Sequence, residues 1–279
     1  MSGARSLALA AVALVLSASA AAQPVATDPG ASQPAPAASA ASAASASADA
    51  ASTPVPAPAT PVYRTRVQPA SKAIYNLHRG GIAGIGELDW RPEGKRYTLT
   101  LTGKVPVFGT LITQTSQGAI DTTGLVPARY ADRRLRRAED IADFRRSADG
   151  KTGVASFSGP PITYAIRPGT QDRLSVMVQL GAIAAGWQRA PAAGSHFDVY
   201  VIGSRGEADI WSFRYEGLQP VSAAGASVSA HKFLREPGSP RETRAEFWLD
   251  PARNFMPVRA LLTEANGEVM ELLRSQQQP

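Results

Sequence analysis

Ser229 and Lys232 stand three residues apart in Ser229-Ala230-His231-Lys232, the letters of the Ser-x-x-Lys dyad of penicillin-binding enzymes. In that dyad the two side chains share one face at a helix start. Here the surrounding residues alternate as in a strand, which turns Ser229 and Lys232 to opposite faces, and no Lys-Thr-Gly element follows. The run Gly81-Ile82-Ala83-Gly84-Ile85-Gly86 is as glycine-rich as a phosphate cradle. A cradle needs a helix after it, and strand-like sequence follows instead, so a bend or bulge between strands is expected. His78, His196 and His231 are dispersed, with no pair at the spacing that puts two metal ligands on one helical face, so structural or solvated roles are expected. Asp172 is the acid best placed for chemistry. The simpler role for a carboxylate there is to stabilise the positive end of the helix that follows, or to pair with a nearby arginine. The absence of cysteine excludes disulfides, thiolate catalysis and thiolate-ligated metals together.

Two further sets of residues suggest binding rather than catalysis. Residues 129–146 concentrate Arg129, Arg133, Arg134, Arg136, Arg137, Arg145 and Arg146 among Asp132, Glu139, Asp140 and Asp143. Guanidinium binds phosphate in a bidentate fork, so Arg133, Arg134, Arg136 and Arg137 could meet an anionic partner. The alternative is a solvated edge hairpin whose charges discourage edge-to-edge pairing. Trp211, Phe213 and Tyr215 alternate on one face of a predicted strand, Phe247 and Trp248 fall on opposite faces of another, and Trp187 follows the predicted helix. Such aromatics fill a core when the sheet is covered, and otherwise Trp187, Trp211, Phe213, Tyr215 and Trp248 would line an apolar pocket.

The elements that must position these groups are mostly strands. Residues 97–102 alternate Tyr97, Leu99 and Leu101 against three threonines, the period of a half-buried strand. Similar segments occupy 73–77, 86–90, 108–114, 197–202, 210–215, 228–234, 244–249, 257–263 and 268–274. Asn266-Gly267 is the strongest hairpin signal and predicts a type I′ turn, with Asp149-Gly150 and Glu93-Gly94 at similar breaks. One segment departs from this rhythm: residues 170–185 place Leu174, Met177, Val178 and Gly181 at helical spacing, with Thr170 as cap and Gly186 as stop. The expected fold is mainly β, a curved antiparallel sheet or incomplete barrel of about ten strands with one amphipathic helix packed on its concave face.

Ahead of this domain, residues 1–22 carry Arg5, an apolar run and small residues at Ala18, Ala20 and Ala22, the layout of a cleaved Sec-type signal peptide. About ten apolar residues are too few to span a bilayer, and no other stretch approaches the required length, so no transmembrane segment is expected in the mature chain. Residues 23–61 are almost entirely Ala, Ser, Pro and Thr and read as a disordered spacer, leaving residues 62–279 as a single β domain in a periplasmic or secreted protein. The net charge of +6 is spread along the chain and interleaved with acids, which argues against nucleic acid as a partner.

Gly118, Gly124-Leu125-Val126-Pro127, the run Gly169-Thr170-Gln171-Asp172-Arg173-Leu174-Ser175, Phe247-Trp248-Leu249-Asp250 and Pro257-Val258-Arg259 resemble the recurring signature of the DUF3108 family of exported bacterial proteins. The resemblance spans residues 63–274 and implies export and a mostly β domain. It carries no catalytic residue.

With no catalytic grouping and no cofactor indicated, the sequence points to a non-enzymatic binding or carrier module for an apolar or lipidic envelope component. A second reading is a scaffold that docks another envelope protein through the arginine segment, and a third is an envelope-polymer hydrolase whose paired carboxylates come from separate strands.

Overall fold

The computed structural model describes residues 53–106 and 108–276; the expected signal peptide and residues 23–52 of the expected spacer lie outside the described residues. Fifteen strands form one sheet: β1 Ser71–Arg79, β2 Ile82–Glu93, β3 Arg96–Val105, β4 Gly109–Asp121, β5 Gly124–Arg134, β6 Asp140–Arg146, β7 Gly153–Phe157, β8 Tyr164–Ile166, β9 Gln171–Asp172, β10 His196–Ile202, β11 Ala208–Ala223, β12 Ala226–Arg235, β13 Arg244–Asp250, β14 Met256–Thr263 and β15 Val269–Arg274. The order is β8-β7-β6-β5-β4-β3-β2-β1-β15-β14-β13-β12-β11-β10-β9, antiparallel throughout except for the short parallel β9–β10 pair.

The ten expected strands are all present, and the five additional ones, β5 to β9, correct the expected count. Their alternation is hidden for identifiable reasons. In β5 the buried positions run Leu125, Pro127 and then Tyr130, Asp132, because the register against β4 shifts between Gln117 and Gly118. A bulge of this kind resets the phase of a period-two pattern. In β6 only Ala142 and Phe144 are buried among charged neighbours, and β9 is two residues long.

The turns also differ in detail. At Asn266-Gly267 only Gly267 takes positive φ, at 79°, its N–H donates to the Glu264 carbonyl, and the Asn266 side chain accepts from the Glu268 N–H, so the type I′ turn is not formed. Instead both centres of the β1–β2 turn, Gly80 and Gly81, have positive φ (51° and 82°), as type I′ requires. The glycine run is therefore a hairpin turn leading into β2. Gly84 within it lies so close to β3 that a Cβ would run into the Lys104 carbonyl. Gly84→Ala is expected to cost roughly 2 kcal/mol by forcing the two strands apart, read as a lowered urea midpoint with the slope unchanged.

The one α-helix among the described residues, α1 Ser175–Ala185, starts later than expected and is not amphipathic: all of its residues are buried. It lies inside the curve of the sheet against β5, β9 and β14. Residues 63–68 cover its other side, with the Arg66 N–H donating to Ala182 O and Gln68 Nε2 to Val178 O. A chain segment from outside the periodic pattern thus supplies the second wall, and the polar face that exposure would require is absent. Thr170 does not cap the helix, since its Oγ1 accepts from the Arg167 N–H, and Gly186 keeps right-handed φ. The last part of the expected spacer also joins the fold. Val55 bridges Tyr164 in parallel, and Ala57 is buried in the main core.

The main core fills the space between sheet and helix, with Trp90, Leu99, Leu125, Tyr130, Phe213 and Phe233 almost wholly buried. A second, small cluster lies on the other face, where Val221 and Ala223 from the distal part of the β11–β12 hairpin pack with Ala230, Trp248 and Val258. The register shift between Tyr215 and Leu218 marks where that hairpin bends. The ladder does not run from β8 to β9; side chains span the gap, Tyr164 OH donating to Gly206 O at 3.0 Å and Arg205 pairing with Asp140 at 2.8 Å. No helix among the described residues is long and apolar enough to cross a membrane.

Candidate ligand-binding mouth

The five aromatics read as one apolar wall do not form one: Trp187 packs with Tyr215, Trp211 with Phe213, and Trp248 belongs to the second cluster. Phe213 is fully buried in the core against Phe247, with ring centroids 5.8 Å apart. Trp187 and Tyr215 pack together near the end of α1 with Phe233 and His231, and the Tyr215 hydroxyl is 2.7 Å from His231 Nδ1. Burial holds the His231 pKa below its ordinary value. Trp248 faces the opposite side of β13, between the Lys232 ammonium at 4.9 Å and the Arg259 guanidinium at 4.7 Å. Of the five, Trp211 lines the cavity described below. Strand parity is the reason: Phe247 and Trp248 are adjacent and must diverge.

The concave face is filled by α1. The cavity lies instead at one mouth of the curved sheet, with about 670 Å³ of free space counting its opening. Its apolar side is Trp211, Ile112, Leu262 and Met270, and charged side chains from β1, β5, the β9–α1 link, the β10–β11 loop and the β14–β15 turn make up most of the rest. Most of those charges satisfy each other. Arg79 grips Glu268 through a two-pronged contact at 2.8 and 3.0 Å, which holds the Glu268 carboxyl below its usual range. Arg134 pairs with the buried Asp132 at 3.0 Å, and Arg205 with Asp140.

Three charged groups at the mouth are left without an ion pair among the described residues. Arg173, half-buried, has its guanidinium 6.0 Å from the centroid of the Trp211 ring and its Nε close to Gly203, beside the Glu207 carboxylate but not paired with it. Glu207 accepts the Arg205 backbone N–H, and Glu264 accepts the Thr243 hydroxyl. The Ser204 hydroxyl also lines the cavity and makes no hydrogen bond among the described residues. None of these four was marked by sequence spacing. Arg173 was the readable one, since it stands in the signature run beside Asp172.

Asp172 explains how Arg173 is held. It is completely buried; its Oδ1 accepts the N–H groups of Leu174 (2.8 Å) and Ser175 (2.7 Å), and Ser116 Oγ donates to its Oδ2 at 2.5 Å. In return the Asp172 N–H donates to Ser175 Oγ, a reciprocal cap at the start of α1. Its carboxylate therefore acts at the end of its own helix. Burial pushes the Asp172 carboxyl up to about 6, with the hydrogen bonds from Ser116, Ser175 and Leu174 pulling the other way. Gln171 donates to Leu125 O, and Gln179 Oε1 accepts the Leu125 N–H, so both backbone groups of Leu125 are tied to this corner. Arg173 leaves a rigid knot and projects to the mouth.

The remaining sequence candidates stay apart. Ser229 lies on β12 opposite Pro220, while Lys232 pairs with Glu216 and Glu246, both at 3.0 Å, on the outer face. His78 and His196 are exposed, and Nδ1 of His196 is 3.3 Å from Ser212 Oγ. In the arginine segment, Arg134 is taken by Asp132, whereas Arg133, Arg136 and Arg137 are exposed around the β5–β6 turn with no ion pair. That hairpin is not at the sheet edge, since β4 and β7 flank it.

The family model for DUF3108, described as "Protein of unknown function", matches residues 74–274. No curated protein matches the chain. Among solved structures, a crystal structure titled as a beta-barrel-like protein of domain of unknown function DUF1849 from Brucella abortus is similar at 14% identity and TM-score 0.49, over 75% of this chain and 97% of that one.

Proposed function

This chain belongs to the DUF3108 family of proteins of unknown function, and on that footing we propose that it is an exported, non-catalytic binding module of the cell envelope whose ligand sits at the mouth of the curved sheet. One observation carries the reading: an open-mouthed cavity where the Arg173 guanidinium has no ion pair and the Ser204 hydroxyl no hydrogen bond among the described residues, beside the indole of Trp211. Polar groups held partly out of water without partners cost stability, and that cost is offset when a ligand meets them. The apolar side of the cavity suits a short apolar group. A long acyl chain along the concave face is not part of the proposal, because α1 fills that space. Export rests on the signal-like residues 1–22.

Native mass spectrometry of the secreted chain, purified without detergent, is the test. A small-molecule adduct is expected, and it should disappear in Leu262→Trp, which fills the cavity from β14. An adduct-free wild type, with no ligand recovered by solvent extraction, would sink the reading.

Exposed Arg133, Arg136 and Arg137 favour a second reading, contact with an anionic surface. Wild-type protein should co-sediment with phosphatidylglycerol vesicles at low salt and be released as salt rises; Arg133→Glu, Arg136→Glu and Arg137→Glu together should abolish the association. Equal sedimentation of the triple variant removes this reading.

A further inference from the structure

The ionic ledger of the mouth says what kind of molecule belongs there. Arg79–Glu268, Arg134–Asp132 and Arg205–Asp140 close on themselves and leave no charge over. What remains is one cation, Arg173, and two anions, Glu207 and Glu264, none with an ion-pair partner among the described residues. Arg173 and Glu207 flank Gly203, where an added Cβ would lie 3.2 Å from Arg173 Nε and would collide with the Glu207 carboxylate. Both side chains thus approach one backbone point without closing on each other. A purely anionic ligand would take Arg173 but face Glu207 and Glu264; a purely cationic one would meet the reverse.

We infer that the ligand of this mouth is zwitterionic and amphiphilic: its anionic group is held by Arg173 with the Ser204 hydroxyl, its ammonium by Glu264 and Glu207, and its apolar part by Trp211, Leu262 and Met270. This rests on the mouth being the binding site. A guanidinium offers two parallel N–H donors to a carboxylate or phosphate, and the hydroxyl adds a third donor. Partial burial of Arg173 and Glu264 strengthens their charge contacts relative to water. The Asp172 knot holds the backbone on either side of Arg173, so little backbone ordering remains for binding to impose. The shared chemistry, an ammonium and an anion on one apolar tail, occurs in α-amino acids and in ethanolamine phospholipid head groups.

Isothermal titration of the full chain with matched probes separates these statements. 2-Aminooctanoate should bind roughly tenfold or more tighter than octanoate, octylamine or 1-octanol. Arg173→Gln should weaken 2-aminooctanoate about tenfold and leave octylamine unchanged, and Arg173→Lys should fall between them, because a point charge keeps the attraction and loses the fork. Glu264→Gln should weaken 2-aminooctanoate and octylamine but not octanoate. Circular dichroism of these variants should match wild type, since neither side chain holds an ion pair in the fold. Tighter binding of dihexanoylphosphatidylethanolamine than of 2-aminooctanoate would assign the phospholipid source, and the opposite order the amino-acid source. If 1-octanol or octanoate binds as well as the zwitterion, or Arg173→Gln changes nothing, the zwitterion inference is overturned while the mouth stands as a binding site. If no probe binds and the native mass spectrum shows no adduct, both fall.

Discussion

Asp172→Ala is expected to lower the stability of the domain by about 3 kcal/mol, a fall in Tm of roughly 6–12 °C for a domain of this size. The substitution removes one acceptor and strands three donors. The N–H groups of Leu174 and Ser175 lose their cap, Ser116 Oγ loses its acceptor, and all sit where water does not reach. Tyr97, hydrogen-bonded to Ser116 at 2.9 Å, extends the damage into β3. Asp172→Asn separates the cap from the charge, because the amide oxygen still accepts from the helix N–H groups. Burial raises the folded pKa of Asp172 to about 6, above the usual unfolded value near 4, so the folded state binds the proton more tightly than the unfolded one. The contribution of this group to stability is then greatest below pH 4 and declines as pH rises through 6, by about 3 kcal/mol in all. Denaturation of wild type and Asp172→Asn from pH 4 to pH 7 should show that slope in the difference between them. A difference independent of pH, or an alanine variant as stable as wild type, contradicts this account of the knot.

Trp90→Ala should cost about 4 kcal/mol, the range for removing a fully buried tryptophan. The indole is completely buried, packs against Tyr97 at 5.5 Å, and donates from Nε1 to Gln68 O at 3.1 Å. Gln68 in turn donates to Val178 O in the middle of α1. Trp90 therefore joins β2 to the covering segment and, through it, to the helix. Trp90→Phe keeps most of the apolar volume but leaves the Gln68 carbonyl without its donor, at a cost of about 1–2 kcal/mol. Urea midpoints should rank wild type, then Trp90→Phe, then Trp90→Ala. A Trp90→Phe midpoint equal to that of wild type would mean that the hydrogen bond to Gln68 holds nothing in place.

Much of the architecture was legible because strands and turns are local. The alternation in residues 97–102 and 228–234, and the resemblance carried by residues 169–175, located strands and family without reference to distant contacts. The helix was legible in position and illegible in environment. Its residues have helical spacing, but only the packing of residues 63–68 shows that the side away from the sheet is covered too. In β5 the bulge opposite Gln117 and Gly118 broke the rhythm that would have revealed the strand. The aromatic set was misleading as a group for a related reason, since shared residue type does not fix which side of a strand or which end of a sheet a ring occupies.

The amino-acid order by itself determined the dominance of strands, the place of the helix and the family, because each depends on interactions over a few residues. Only the tertiary structure brings together the groups of the proposed ligand site. Arg173, Ser204, Glu207 and Glu264 come from the β9–α1 link, the β10–β11 loop and the β14–β15 turn, and their relation is set by the curvature of fifteen strands around a buried helix. Which charges cancel and which are left over is a sum over neighbours in space, and no spacing along the chain contains that sum.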